Sequence, residues 1–169
     1  FLVGLRNFPF YKNVKEKTIE LYPNFNDLEK DQRDYLMIKT LLSKEHFNFA
    51  NKPKGILSFH KVNKINYSPI EEHIFESEFY RNPNQKTKIH FTISKEHQSE
   101  FEKITAQHDG FEITYSYQQN ATDTLAVNPD NSPFRLENGE LFFRPGGHGA
   151  LIENLNTLQS DIIFIKNID

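Results

Sequence analysis

Strand and helix patterns alternate along the second half of the chain, and this alternation constrains the fold most strongly. Lys88–Ser94 and Phe111–Tyr117 each alternate apolar and polar residues, and the segment between them has helical spacing. Asp161–Asp169 is a continuous apolar run, typical of a strand that is buried on both faces of a parallel sheet. These patterns predict a Rossmann-like, doubly wound, mostly parallel α/β sheet, in which ligands bind at the carboxyl ends of the strands.

Other elements complete this prediction. Residues 8–45 are predicted to be helical, with Asp27 as a helix cap, and a strand is expected at Ile56, Leu57 and Phe59. Ser68, Pro69 and Glu71 form the pattern of a capping box that starts a helix. That helix is expected to have an apolar face consisting of Ile70, Ile74, Phe75 and Phe79.

A β-rich excursion is predicted between the second alternating strand and the last helix. Residues 134–144 have the pattern of a hairpin that turns at Asn138-Gly139, a dipeptide suited to a type I′ turn. A short helix should follow near residue 151, with its leucine and isoleucine side chains directed inward: Leu151, Ile152, Leu155 and Leu158.

Composition restricts the possible functions. The 169 residues carry a formal net charge of −3 with mixed signs along the chain, which argues against nonspecific nucleic-acid binding. With 16 Phe and 7 Tyr but no Cys, the interior should be rich in rings, while disulfides and thiolate zinc sites are excluded. No apolar run reaches membrane-spanning length, and we expect a cytoplasmic protein. The oligomeric state is left open.

Both ends of the sequence indicate that it is an internal piece of a longer protein. It begins at Phe1 without a Met, and its last predicted strand stops at Asp169, where a functional loop would normally begin. We expect a helical part at residues 1–50 and an α/β core at residues 51–169, with flanking residues needed for any activity.

The segment RPGGHGAL, Arg144–Leu151, is the most informative motif. Gly146, Gly147 and Gly149 would allow close backbone approach to a ligand and positive φ angles, and Arg144 would add charge. Such a turn suits a phosphate or the edge of a base. The alternative is a tight turn that only packs the following helix. The glycine spacing matches neither a P-loop nor the dinucleotide fingerprint.

Four further residues are candidates for chemistry, each with a structural alternative. Lys54, in the turn Pro53-Lys54-Gly55, could reach a phosphate or be a solvated surface lysine. Asp169 could hold a divalent cation or simply end its strand. Gln118 and Gln119 follow a strand and could bind a base, or be ordinary loop residues.

The seven histidines show no metal-binding spacing, so surface or hydrogen-bonded roles are expected for most of them. His148 differs because it lies inside the glycine segment. A general-base role is conceivable there, although a hydrogen bond to a ligand is the preferred interpretation.

Several segments in order resemble a known family. Five segments carry the likeness, in this order: NKPKGILSFH, SPIEEH, SYQQNATDTLAVNPDNSPF, FRPGGHGALIENLN and IIFIKNID. Together they resemble the largely Bacteroidetes domain-of-unknown-function family numbered 4301. The likeness covers nearly the whole chain, and FRPGGHGALIENLN is its most specific part.

A more distant resemblance is to the UDP-sugar pyrophosphorylases, such as UDP-N-acetylglucosamine pyrophosphorylase, which have a GT-A-like nucleotidyltransferase fold. Their PKG turn is similar to Pro53-Lys54-Gly55, their strand ending in FxQG to Tyr117–Asn120, and their PDGNGGL turn to Pro145–Leu151. Their VDN is similar to Ile168-Asp169. The match implies that Gln119 and Gly147 contact uracil, with Gln118 and Gly146 beside them.

The same resemblance implies the remaining roles. Lys54 would contact a phosphate, His148 and Arg144 the sugar, and Asp169 a magnesium ion. The full-length protein would then transfer a nucleotidyl group from an NTP, preferably UTP, to a sugar 1-phosphate. Its partners would be nucleotides and sugar phosphates. The alternative is a non-catalytic nucleotide- or anion-binding module on the same fold.

The chain departs from the pyrophosphorylase pattern at two places. The glycine-rich phosphate loop that should precede the PKG turn has no match in residues 1–50. His148 replaces the asparagine that contacts the sugar, which puts the sugar specificity in doubt.

Overall fold

The chain folds as a mixed α/β protein. The computed structural model describes residues 2–168, with side chains from residue 4 onward. The α-helices are α1 (Tyr11–Leu21), α2 (Lys30–Leu42), α3 (Pro69–Ser77), α4 (Gln98–Thr105) and α5 (Ile152–Asn156). The strands are β1 (His60–Val62), β2 (Ile65–Tyr67), β3 (Thr87–Thr92), β4 (Phe111–Ser116), β5 (Thr124–Leu125) and β6 (Phe143–Arg144). No helix within residues 2–168 is long and apolar enough to cross a membrane.

The described residues form two compact units. The first contains residues 2–87, Glu100–Asp109 and 166–168, and the second contains Lys88–Ser99 and Gly110–Ile165. The predicted boundary at residue 50 stays a prediction.

The core of the first unit lies between α1 and α2 and combines buried aliphatic side chains with rings. Phe10 is only 6% exposed and contacts three other rings. It stacks on Phe8 with centroids 5.1 Å apart and meets Phe49 edge to face at 4.8 Å. The predicted helical region is confirmed. The prediction of a ring-rich interior holds only for the partly buried shell, because most of the buried hydrophobic side chains are aliphatic.

The predicted cap of α2 is wrong by two residues. Asp27 closes a short 3-10 turn, Phe25–Asp27, and the helix starts only after Glu29. The backbone N–H of Glu29 donates to Oε1 of Gln32 at 3.3 Å, so Glu29 serves as the cap.

The capping box that starts α3 is confirmed. The backbone N–H and the hydroxyl of Ser68 both donate to Oε2 of Glu71, at 2.7 and 2.6 Å. Ile70 and Ile74 are fully buried, as predicted. Phe79 is 87% exposed, because α3 ends at Ser77 and a 3-10 turn carries Phe79 off its apolar face.

The two alternating strands are confirmed as β3 and β4, and they form a parallel pair. Ile93 N donates to Ser116 O at 2.9 Å, just beyond the end of β3. Within the described residues this is one of three two-stranded sheets, and the other two are antiparallel. The predicted doubly wound sheet therefore corresponds in this part of the chain to a single parallel pair.

The hairpin at residues 134–144 is confirmed, but its predicted turn type is wrong. Gly139 has a φ of +85°, whereas Asn138 does not have a positive φ, so a type I′ turn is excluded. Leu136 N donates to Glu140 O, which closes a three-residue loop with Gly139 in the left-handed position. Positive φ at two successive residues occurs instead at Asn63 and Lys64, between β1 and β2.

Two predicted strands have other conformations. Residues 54–56 form a 3-10 turn, and the strand begins at His60, beyond Leu57 and Phe59. Residues 161–168 of the predicted buried strand are irregular, and Ile162 is 76% exposed. A continuous apolar pattern is typical of a strand that lies between two neighbouring strands of a buried sheet. No strand of residues 2–168 pairs with it. Asp169 lies outside the described residues.

Replacing Phe10 with alanine should strongly destabilise the first unit. Truncation of a buried ring removes apolar contacts and leaves a cavity, so the free energy of unfolding should fall by about 3–5 kcal/mol. Chemical denaturation measures this change. Phe79→Ala is the matched control and should change stability by less than about 0.5 kcal/mol because its ring is exposed. Equal losses in both variants would contradict the assignment of the core.

Candidate functional site

The glycine segment folds back onto the carboxyl end of β4, within the second unit. A Cβ added at Gly146 would stand 2.8 Å from the carbonyl oxygen of Thr122 and 3.0 Å from the Cβ of Ala150. The same position lies 3.6 Å from Nε2 of Gln118. Glycine is therefore required at position 146 because two stretches of backbone approach closely there.

The two glutamines that follow β4 have different environments. Gln118 is half-buried, and its Nε2 donates to Oδ1 of Asp123 at 3.2 Å. Gln119 is exposed, and its carbonyl accepts hydrogen bonds from the backbone N–H and hydroxyl of Thr122 at 2.9 and 2.6 Å. The side-chain amide of Gln119 has no hydrogen-bond partner among residues 2–168. Gln119 is thus the glutamine that is available to a ligand, and Gln118 holds the loop.

Gly147 and Gly149 differ from Gly146 because they face open space. A Cβ added at either position would meet no atom within 4 Å. Gly147 has φ −76° and ψ −168°, and positive φ is found at none of the three segment glycines. The predicted left-handed conformations are therefore wrong. The turn is reached with ordinary backbone angles, while the open face of Gly147 leaves room for a ligand.

The two side chains predicted to face a sugar are also in the second unit. Arg144 ends β6 and is exposed, and its carbonyl accepts a hydrogen bond from the Thr124 hydroxyl at 3.4 Å. His148 is exposed at the start of a 3-10 turn, His148–Leu151, that leads into α5.

A polar network beneath this segment was missed by the sequence analysis. Asn154 of α5 is only 6% exposed, and its Nδ2 donates to Oγ of Ser116 and to the carbonyl of Tyr117, both at 2.8 Å. His90 Nε2 lies 2.8 Å from the same Ser116 hydroxyl, and His90 Nδ1 lies 2.8 Å from Oγ1 of Thr114. The network ties the helix that follows the glycine segment to the end of β4.

A weak signal for this network was present in the sequence. His90 and Thr92 share one face of β3, and Thr114 and Ser116 share one face of β4. Two polar faces on adjacent strands predict cross-strand hydrogen bonds. The participation of Asn154 depends on tertiary packing and has no local signature.

The predicted phosphate-contacting residue belongs to the first unit. Lys54 is exposed at the start of its 3-10 turn, and Gly55 beside it is buried. A Cβ added at Gly55 would stand 3.1 Å from Cγ1 of Ile168 and 3.3 Å from Cε1 of Phe101. The turn that carries Lys54 therefore packs against Ile168, the residue before Asp169.

An ion pair holds the segment that contains Ile168. The ammonium group of Lys166 hydrogen-bonds to the Glu76 carboxylate at the end of α3. This hydrogen bond lowers the pKa of Glu76 and raises the pKa of Lys166. Both groups are charged at neutral pH, and the ion pair links α3 to residues 166–168 within the first unit.

The donor set for the predicted magnesium ion is not found in residues 2–168. No group of three or more His, Cys, Asp or Glu side chains in that range is arranged to hold a metal ion. Asp169, the carboxylate predicted to bind magnesium, is beyond the described residues.

Burial of His90 should make stability depend on pH. Partial burial lowers the pKa of the His90 imidazole below its ordinary value of 6.5. The stability associated with the neutral ring is fully present above the unfolded-state pKa and is lost as the pH falls through the folded-state pKa. The free energy of unfolding should thus decrease from about pH 7 to about pH 5. Urea denaturation across this range measures the slope.

His90→Gln is the variant that tests this origin. Glutamine retains hydrogen-bonding capacity but does not titrate, so the variant should show a smaller decrease over the same pH range. A loss of stability from altered packing would be the same at every pH and would not change the slope of the unfolding free energy against pH. An identical slope in both proteins would show that another group is responsible.

Two alanine substitutions in the glycine segment should have opposite outcomes. Gly146→Ala should lower the free energy of unfolding by about 1–3 kcal/mol, because the new methyl group overlaps the Thr122 carbonyl. Gly149→Ala should change it by less than about 0.5 kcal/mol, because nothing lies nearby. Thermal denaturation of both variants compares them. A tolerated Gly146→Ala would contradict the close approach.

One of the comparisons with known proteins found a match. The model of the family described as Domain of unknown function (DUF4301) matches residues 1–169. No curated protein and no solved structure matches the chain.

Proposed function

We propose that the chain, which belongs to the DUF4301 family over residues 1–169, is the nucleotide-binding part of a nucleotidyltransferase. The full-length protein would transfer a nucleotidyl group from an NTP, preferably UTP, to a sugar 1-phosphate. An oxygen of the sugar phosphate attacks the α-phosphorus, the bond from that phosphorus to the bridging oxygen breaks, and pyrophosphate leaves.

One observation carries the proposal. The unpaired amide of Gln119 and the open face of Gly147 lie in the two segments that meet at the carboxyl end of β4. In α/β proteins this edge of a parallel sheet is where ligands bind. The distant likeness to UDP-sugar pyrophosphorylases independently assigns the base-contacting roles to the same two residues.

The two glutamines then have separate roles at the base. An amide presents one donor and one acceptor side by side, which complements the N–H and carbonyl edge of uracil. Gln119 provides this pair, and the main chain at Gly147 approaches the base from the open side. Gln118 is a positioning residue, because its hydrogen bond to Asp123 and its proximity to Gly146 hold the two segments together.

The phosphates and the sugar require charged or donor groups. Lys54 is proposed to contact a phosphate, and its turn packs on Ile168 next to Asp169. Arg144 and His148 are proposed to face the sugar phosphate. The rate enhancement in such transfers comes mainly from positioning and neutralisation of charge on the phosphate oxygens.

The proposal extends beyond the residues that the structure describes. Magnesium held by Asp169 would supply charge neutralisation at the phosphates when bound. A doubly wound sheet that incorporates β3 and β4, and a cytoplasmic location with access to nucleoside triphosphates, also belong to the proposal.

Gln119→Ala in the full-length protein tests the base contact. UTP at a hundredfold excess over its dissociation constant should stabilise the wild type by about 2.7 kcal/mol. Loss of the amide should weaken binding about tenfold, as expected for loss of about 1.4 kcal/mol of hydrogen-bond energy. Thermal shift and calorimetry with UTP measure the two quantities. Gln159→Ala is the matched control, because Gln159 is an exposed glutamine in the same unit.

Two readouts separate the possible outcomes. Pyrophosphate release from UTP with a panel of sugar 1-phosphates would support the enzyme. Nucleotide binding that depends on Gln119 but gives no pyrophosphate with any sugar phosphate would favour the non-catalytic binding module. If no nucleotide stabilises the wild-type protein, both versions of the proposal are wrong.

A further inference from the structure

A small cleft in the helical part of the first unit carries an unusual concentration of positive charge. The cleft has a volume of about 90 Å³ and lies among the amino-terminal 3-10 helix, α1 and α2. Four basic side chains line it, from three separate stretches of sequence: Arg6, Lys15, Lys30 and Arg33. The whole protein has a net charge of −3, so this local excess is opposite in sign to the total.

The positive charges of the cleft are mostly unbalanced. Asp34 is the acidic residue that lines the cleft, and its Oδ2 already accepts a hydrogen bond from Lys30 at 3.1 Å. Among residues 2–168, no carboxylate lies within ion-pair distance of Arg6, Lys15 or Arg33. Three cationic side chains thus line one cavity with no carboxylate of the described residues in ion-pair distance, which favours an external anion.

The floor of the cleft strengthens this electrostatic preference. Leu5, Phe25 and Met37 line its base, and all three are buried members of the core between α1 and α2. A low-dielectric wall makes each charge interaction stronger than it would be in water. Tyr11 and Asn26 add neutral polar groups at the rim.

The size of the cleft selects among anions. A cavity of about 90 Å³ has room for a compact oxyanion of a few heavy atoms. Sites for whole small molecules are commonly about 300–1,000 Å³, so the cleft is small for a complete nucleotide. Two guanidinium groups also match the geometry of phosphate oxygens, to which arginine donates in pairs.

We propose that this cleft binds a phosphate group, either as inorganic phosphate or as the phosphate end of a phosphomonoester. It is a second anion site, and it does not involve Lys54 or the glycine segment. Arg33 and Lys15 provide the half-buried cations, and Arg6 closes the rim from the 3-10 helix.

Calorimetry of the full chain at constant ionic strength tests the proposal. Sodium phosphate should give saturable binding in the millimolar range or tighter, whereas sodium chloride should give none. The double variant Lys15→Gln, Arg33→Gln should weaken phosphate binding at least about tenfold, because each lost cation removes a charge-assisted hydrogen bond. Lys39→Gln is the control variant. Lys39 is an exposed lysine of α2, the helix that carries Arg33, and it does not line the cleft.

A competing phosphate ester and a second variant separate the remaining outcomes. Glycerol 2-phosphate that competes with inorganic phosphate would identify the phosphate group of an ester as a ligand, whereas binding of inorganic phosphate alone would identify the free ion. If the double variant is unstable, Arg6→Gln repeats the test at an exposed position. Unchanged phosphate affinity in both would overturn the proposal.

Lys54→Gln separates this site from the proposed nucleotide site. The phosphate affinity of the cleft should be unchanged in this variant, because Lys54 does not line the cleft. Loss of phosphate binding in Lys54→Gln but not in the cleft variants would mean that phosphate occupies the nucleotide site, and the cleft proposal would be wrong. A wild-type protein that binds phosphate in the cleft but not UTP would refute the nucleotidyltransferase while leaving the cleft intact.

Discussion

The backbone at Gly146 lies so close to the carbonyl oxygen of Thr122 that the Cβ of any other residue at position 146 would stand only 2.8 Å from that oxygen. This close approach presses the glycine segment onto the loop that follows β4. At the other side of the segment, Asn154 donates to the end of the same strand. Gly147 and Gly149 lie between these two fixed points and have open space beside them. A binding loop held at both ends by rigid elements loses little entropy when a ligand arrives.

The sequence could not distinguish a glycine that is required by packing from one that leaves room. Gly55 and Gly146 are packed against other parts of the chain, whereas Gly147 and Gly149 have empty space beside them. A local pattern reports conformational freedom but carries no information about which distant atom approaches. For the same reason positive φ was predicted in the glycine segment, whereas among the described glycines it occurs at Gly110 and Gly139.

Features that depend on neighbouring residues were predictable, and features that depend on distant ones were not. The Ser68 capping box and the strands β3 and β4 follow from contacts or periodicities within a few residues, and all were predicted. The Asn154 network joins residues 38 positions apart and was missed. The apolar run at residues 162–165 has the composition of a buried strand, but composition supplies no hydrogen-bonding neighbour, and in the described structure the run is exposed.

Charge, like packing, depends on residues that are distant in sequence. Net charge is a sum over the whole chain, whereas a binding site depends on which charged side chains lie close together. A total of −3 with mixed signs argues against a broad nucleic-acid surface, yet it does not prevent cations from three stretches of chain from meeting at one cleft. That cleft and Lys54 both belong to the first unit, whereas Gln119 and Gly147, which suit a neutral base edge, belong to the second. Substitutions of the cleft residues should therefore leave undisturbed the side chains that are proposed to contact the base.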